Sequence, residues 1–174
     1  PNAVVRCISV IPFTLEREES VEEILGRQLT VWIQAQPQIE AGRALCEDTI
    51  AWWEKKLQSN DPTERAAAER IFAENADEVD PKLGLEIIAA YMLDEEPNGL
   101  IYSRGSNFDF PMFEDMARQY GVPLPFSTWK IACSKSIMRF MCGDDKEVEA
   151  GLVGGLRSNH DSAFDCAVER SEEH

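Results

Sequence analysis

The sequence predicts a mixed α/β fold. Two stretches alternate and are rich in β-branched residues, residues 3–13 and 28–34. After them run segments of helical periodicity with recognisable caps. A short apolar run, Gly99-Leu100-Ile101-Tyr102-Ser103, then leads through a turn into another helical segment. Strands, helices, a further strand and more helices make a mixed order rather than an all-α or all-β one.

The first strand carries Val4, Val5, Ile8, Val10 and Ile11, with Pro12 near its end. The second places Leu29, Val31 and Ile33 on one face, because strand side chains alternate. Asp48 and Thr49 before Ile50-Ala51-Trp52-Trp53 read as a capped helix start. Ser59-Asn60-Asp61-Pro62 separates that helix from a second one over residues 63–75, rich in Ala, Glu and Arg and expected to be largely solvated. Asp80 as N-cap and Pro81 at the first helical position start a third helix. Its apolar face is expected to hold Leu83, Leu85, Ile87, Ile88, Tyr91 and Met92.

Residues 99–103 read as a buried strand, followed by the turn Gly105-Ser106-Asn107 and a helix over residues 108–120 that Gly121 and Pro123 stop. Residues 128–132 read as a short strand and residues 134–141 as helical. Gly143-Asp144-Asp145 is a turn, residues 151–159 form a Gly-rich loop, and a last helix begins near His160. No repeat or linker divides the chain, so residues 1–174 are expected to form one domain.

With 174 residues and 44% hydrophobic content the chain can bury a sizeable core. No apolar run approaches the ~18 residues of a membrane span, and no signal peptide is visible. The five cysteines are scattered without a CxxC pair. That argues against a disulfide framework or a zinc site and for a cytoplasmic setting. The net charge of −15 is the wrong sign for a protein that grips nucleic acid through Lys and Arg alone. Two readings follow. One is an acidic protein that touches no nucleic acid. The other is an enzyme in which bound divalent cations supply the local positive charge.

Two segments carry the chemistry. The first is Ser103-Arg104-Gly105-Ser106-Asn107-Phe108-Asp109. A strand followed by a turn brings the opening residues of the next helix to the strand's C-terminal edge, where sites of open α/β sheets assemble. Asp109 falls in the first helical turn, where the helix dipole favours a carboxylate. It either serves a site or merely stabilises the helix start. The second is His160-Asp161-Ser162-Ala163-Phe164-Asp165. On a helix His160 and Asp165 lie roughly 140° apart, too far around for a tight pair but able to border one cleft. A histidine near its ordinary pKa suits a general base. The plainer reading is a helix-start histidine and a solvated aspartate.

Trp52 and Trp53 are adjacent, so both cannot face one core. Packing is the plainer role, and stacking on a base the alternative. Arg104 and Lys135 are candidate phosphate contacts. Ser106, Asn107 and Phe108 are candidate substrate contacts, with core packing the other role for Phe108.

Residues 104–111 (Arg104-Gly105-Ser106-Asn107-Phe108-Asp109-Phe110-Pro111) and residues 159–166 (Asn159-His160-Asp161-Ser162-Ala163-Phe164-Asp165-Cys166) together carry a family resemblance. They resemble the second and third motifs of the DEDD superfamily of 3′–5′ exonucleases, DEDDh branch. Within it the chain looks most like the phage exonuclease A (DexA) group and related exoribonuclease-like proteins. Residues 48–53 resemble a further stretch of the phage enzymes, and residues 3–13 their second strand. The similarity spans roughly residues 1–169.

The resemblance implies an RNase H-like exonuclease fold, a central mixed sheet flanked by helices. It implies two divalent metal ions, Mg or Mn, held by four acidic residues that include Asp109 and Asp165, with His160 as general base. The implied activity is hydrolysis of single-stranded nucleic acid, DNA favoured over RNA, to 5′-mononucleotides. The implied setting is the bacterial host cytoplasm if the protein is phage-encoded. An exoribonuclease and a catalytically inactive RNase H-like binding or regulatory module are the alternatives. The family's Asp-x-Glu motif is expected ahead of Pro1, since Asp94-Glu95-Glu96 does not fit it. Cys133-Ser134-Lys135-Ser136 stands where relatives usually carry an Asp-x-Arg-Thr-like stretch, and the tail after Asp165 is short.

Overall fold

The computed structural model describes residues 2–13, 19–95, 99–103, 107–133 and 136. The strand β1 (Cys7–Val10) pairs antiparallel with β2 (Leu29–Trp32), Cys7 opposite Trp32 and Val10 opposite Leu29. Ser9 and Thr30 face each other in that register and share a hydrogen bond of 2.8 Å between their hydroxyls. The expected inward face of β2 is borne out, with Val31 buried and Ile33 fully so.

Both strands are shorter than the alternation predicts. The backbone groups of Val5, which face away from β2, are bonded by Gln38, whose Oε1 accepts from the Val5 N–H at 2.9 Å. Its Nε2 donates to the Val5 and Gln34 carbonyls at 2.8 Å each. Beyond β2, the Ile33 N–H still donates to the Arg6 carbonyl at 2.8 Å, and Ile33 also bridges in parallel to Val79.

Helix α1 (Val21–Leu25) was not expected. Its signal was nevertheless present in Ser20-Val21-Glu22-Glu23: Ser20 and Glu23 cap each other's backbone N–H reciprocally. The short α2 (Gln36–Glu40), entered through Pro37, was also unexpected, and it carries Gln38. Helix α3 (Glu47–Leu57) begins ahead of the predicted Asp48–Thr49 cap, with Cys46 at the N-cap position and Asp48 inside the first turn. Helix α4 (Pro62–Phe72) packs against α3 and buries Ala68, in keeping with a mostly solvated helix. Asp61 caps it through the Thr63 N–H.

Helix α5 (Pro81–Glu95) starts as predicted, Asp80 accepting from the Lys82 N–H at 2.9 Å. Leu85, Ile88 and Ala89 join Val31, Ile33, Met116 and Val122 in the core. Full burial of an aliphatic side chain of this size is worth about 1.5–3 kcal/mol. Leu83 leaves the expected face and is 47% exposed. Gly84 lets α5 settle on the sheet, since a Cβ there would stand 3.2 Å from the Ile33 side chain and 3.3 Å from that of Val79.

The second pair is parallel: β3 (Ile101–Ser103) lies beside β4 (Ile131–Cys133), Ser103 opposite Cys133. Between them run α6 (Asp109–Tyr120), closed by Gly121 at φ 68°, and a 3-10 turn, Thr128–Lys130. That turn occupies the start of the predicted 128–132 strand, which therefore begins at Ile131. The predicted buried strand is only half-buried. Phe13 and Tyr102, with ring centroids 5.6 Å apart, link the chain after β1 to β3.

The architecture is thus mixed α/β, with antiparallel and parallel pairing both present. The described strands form two separate two-stranded sheets rather than one central sheet. The predicted helix over 134–141, the Gly143 turn, the 151–159 loop and the helix from His160 lie outside the described residues apart from Ser136.

Candidate functional site

Parallel pairing places the C-terminal ends of β3 and β4 side by side, at Ser103 and Cys133. Helix α6 begins at that same edge. Its first residue is Asp109, exposed to solvent, whose Oδ2 accepts a hydrogen bond from the Ser103 hydroxyl. This side-chain bond ties the strand end to the helix start.

Asn107 and Phe108 precede Asp109 in the turn, and both are exposed. Phe108, at the N-cap position of α6, is 66% exposed. A phenylalanine in that state stabilises no core, so the packing role does not apply to it. The next aromatic, Phe110, does pack inward, edge-on to Phe126 with centroids 5.6 Å apart. The sequence Phe108-Asp109-Phe110 therefore splits into an outward ring, an edge carboxylate and an inward ring.

The structure brings Asp109, Asn107 and Phe108 together at one strand-to-helix junction. Ser106, His160 and Asp165, with Arg104 and Lys135, lie outside the described residues. Ser103 was missed as a member of this site. The available signal was a hydroxyl residue at the end of the strand that leads into the motif.

As a ligand, the Asp109 carboxylate is a hard oxygen donor of the type that Mg and Mn prefer. A single carboxylate is not a two-metal site. Among the described residues no group of three His, Cys, Asp or Glu side chains could hold a metal ion.

Trp52 and Trp53 meet edge-on, with centroids 4.8 Å apart. Core packing for both is not what the structure holds, because Trp52 is 38% exposed. Lys56 sits 5.2 Å above its ring while pairing with Glu64 of α4. At the far, N-terminal end of the β3–β4 pair, Leu100 and Trp129 are 60% and 94% exposed. Hydrogen bonding to Thr49, first through its side chain and then its backbone, lowers the exposed Cys46 thiol below its ordinary pKa. No helix among the described residues is long and apolar enough to cross a membrane.

No family model, no curated protein and no solved structure matches this chain.

Proposed function

We propose that the protein is a metal-dependent 3′–5′ exonuclease of the DEDDh type. Its substrate is single-stranded nucleic acid, DNA in preference to RNA, and its products are 5′-mononucleotides. The observation that carries the reading is the placement of Asp109. A solvent-facing carboxylate opens a helix at the C-terminal edge of a parallel strand pair, beside an exposed ring and an exposed amide. A helix start that needed only a cap would be served by the N-cap side chain, and Phe108 there provides none.

The described strands show both antiparallel and parallel pairing, in two separate sheets, and a central mixed sheet is part of the proposal. In this proposal Asp109 and Asp165 would hold divalent cations, which would supply Lewis-acid chemistry at the phosphate and an acidified water. His160 takes the proton from that water, Phe108 offers a face to the terminal base, and Asn107 offers an amide to the nucleotide.

The test is release of mononucleotides from a 3′-labelled oligonucleotide by the full-length protein with Mg or Mn. Release is expected from DNA, with turnover lost in Asp109→Ala and in His160→Ala at unchanged far-UV circular dichroism. Retained turnover in either variant would remove that residue from the site. No release under any metal would sink the proposal.

A further inference from the structure

We infer that residues 45–77, the α3–α4 hairpin with its stems, form a hinged unit that opens as one body while the core stays folded, and that Arg70 seated on Trp32 is its latch. The chain leaves and rejoins the body at two fixed points. Ala44 bridges Ala3 in parallel, and Val79 bridges Ile33 in the same sense. The Ala44 N–H donates to the Asn2 carbonyl at 2.8 Å, and the Val79 N–H donates to the Trp32 carbonyl at 3.0 Å. Between these points the chain makes a long excursion in which Ala68 is the one buried residue. Helix α3 carries Ile50, Trp52, Trp53 and Leu57, yet none of its residues is buried. Its principal packing partner among the described elements is α4.

Contacts inside the excursion make it one unit. Lys56 of α3 pairs with Glu64 of α4, and Glu64 also accepts from the Ser59 hydroxyl at 2.6 Å. Two guanidinium groups fasten the unit to the body. Arg70 of α4 lies 4.4 Å from the centre of the Trp32 ring on β2. Asp77, in the returning stem, accepts from the same group at 2.6 and 2.7 Å and so fixes its position over the ring. Arg6, ahead of β1, donates to the Ile71 and Ala73 carbonyls at the end of α4. A unit that buries so few apolar side chains gains little from hydrophobic burial. Polar and cation–ring contacts then decide whether it is closed. Its opening free energy therefore lies below that of global unfolding.

The test is native-state hydrogen exchange at increasing urea, with the protein compared with Arg70→Met. Methionine is a good helix former that keeps an apolar stem and removes the charge. In the unsubstituted protein the amides of α3 and α4 are expected to merge into one urea-dependent opening. That opening lies below the global one reported by α5 and β2. Arg70→Met is expected to speed exchange in α3 and α4 roughly 2–30-fold, the range of a cation–ring contact, with α5 and β2 unchanged.

Exchange of α3 and α4 through the same opening as α5 would overturn the hinged unit. Separate openings for α3 and α4 would overturn its behaviour as one body. Unaltered exchange in Arg70→Met, or equal acceleration in α5, would overturn the latch.

Discussion

Arg6 and Glu78, 72 residues apart in the chain, form a two-pronged ion pair with nitrogen–oxygen distances of 2.6 and 3.0 Å. The remaining Arg6 donors reach the carbonyls of Ile33, Ile71 and Ala73 at 2.9–3.1 Å. One guanidinium thus fastens the chain before β1 to the end of β2, the end of α4 and the turn before α5. The Glu78 side chain is only 6% exposed, and Asn75 shares its Oε1. Arg6→Ala leaves a buried carboxylate without its cation and the Ile33 and Ile71 carbonyls without the Arg6 donors, while Asn75 still donates to Glu78 and to the Ala73 carbonyl. We expect a loss of about 3–5 kcal/mol, typical of removing one partner of a buried pair. Urea denaturation measures it, and a loss below ~1 kcal/mol would show the pair to be exchangeable with water.

The same pair makes stability depend on pH. Burial pushes the Glu78 carboxyl up, but hydrogen bonds from Arg6 and Asn75 and the Arg6 charge outweigh it and hold it below the ordinary glutamate value. A group depressed in the folded state stabilises the fold above its unfolded pKa. That contribution fades as pH falls from the ordinary glutamate value through the folded one. Asp115 is lowered in the same sense: burial pushes it up, and hydrogen bonding to Arg118 and the charges of Arg43 and Arg118 outweigh that. Melting temperatures are therefore expected to drop on acidification below the carboxylate range. In Glu78→Gln the acid limb becomes shallower. An unchanged limb in that variant would assign the acid sensitivity elsewhere.

Gln38 is fully buried and serves as a surrogate peptide group for Val5. Gln38→Leu matches its bulk and strands the Val5 N–H and the Val5 and Gln34 carbonyls. Each unsatisfied group costs on the order of 1–3 kcal/mol. Hydrogen exchange at the Val5 amide reports the effect directly, and we expect protection there to collapse. Protection equal to that of the unsubstituted protein would mean that another acceptor serves Val5.

Phe108→Ala separates binding from folding. The ring is 66% exposed, so its loss should change stability by less than ~0.5 kcal/mol. If it stacks on a base, the loss weakens oligonucleotide binding by about 1–3 kcal/mol. Fluorescence anisotropy with Ca in place of Mg measures binding without turnover. A large drop in stability with unaltered binding would return Phe108 to a packing role.

Regular elements were legible where one local rule decided them. Asp80-Pro81 set the start of α5, Gly121 the end of α6, and the alternation of Leu29, Val31 and Ile33 the inward face of β2. What stayed hidden depended on partners distant in sequence. The pattern Val4, Val5, Ile8, Val10 reads as one long strand, and nothing local shows that Gln38 will bond the outward groups of Val5. Leu83 fits the helical face of α5 by periodicity yet meets solvent. The capping box at Ser20 was legible in principle, but its helix spans only Val21–Leu25, too short for apolar periodicity to reveal. At the candidate site, Asp109 was legible from the strand-turn-helix order. The outward turn of Phe108 was not, since Phe108 and Phe110 are alike in type and differ only in what the fold sets against them.

The Gln38 amide also limits which strands this protein can recruit. The Arg6 carbonyl accepts from Ile33 on the β2 side. Backbone groups of successive extended residues point to opposite sides, so those of Val5 face away from β2. They are already occupied by a side chain of the same molecule. Any further strand that joins the chain on that side finds no docking position at Val5. A Val-rich segment that could act as a template for uncontrolled edge-to-edge growth is thereby sealed at its start.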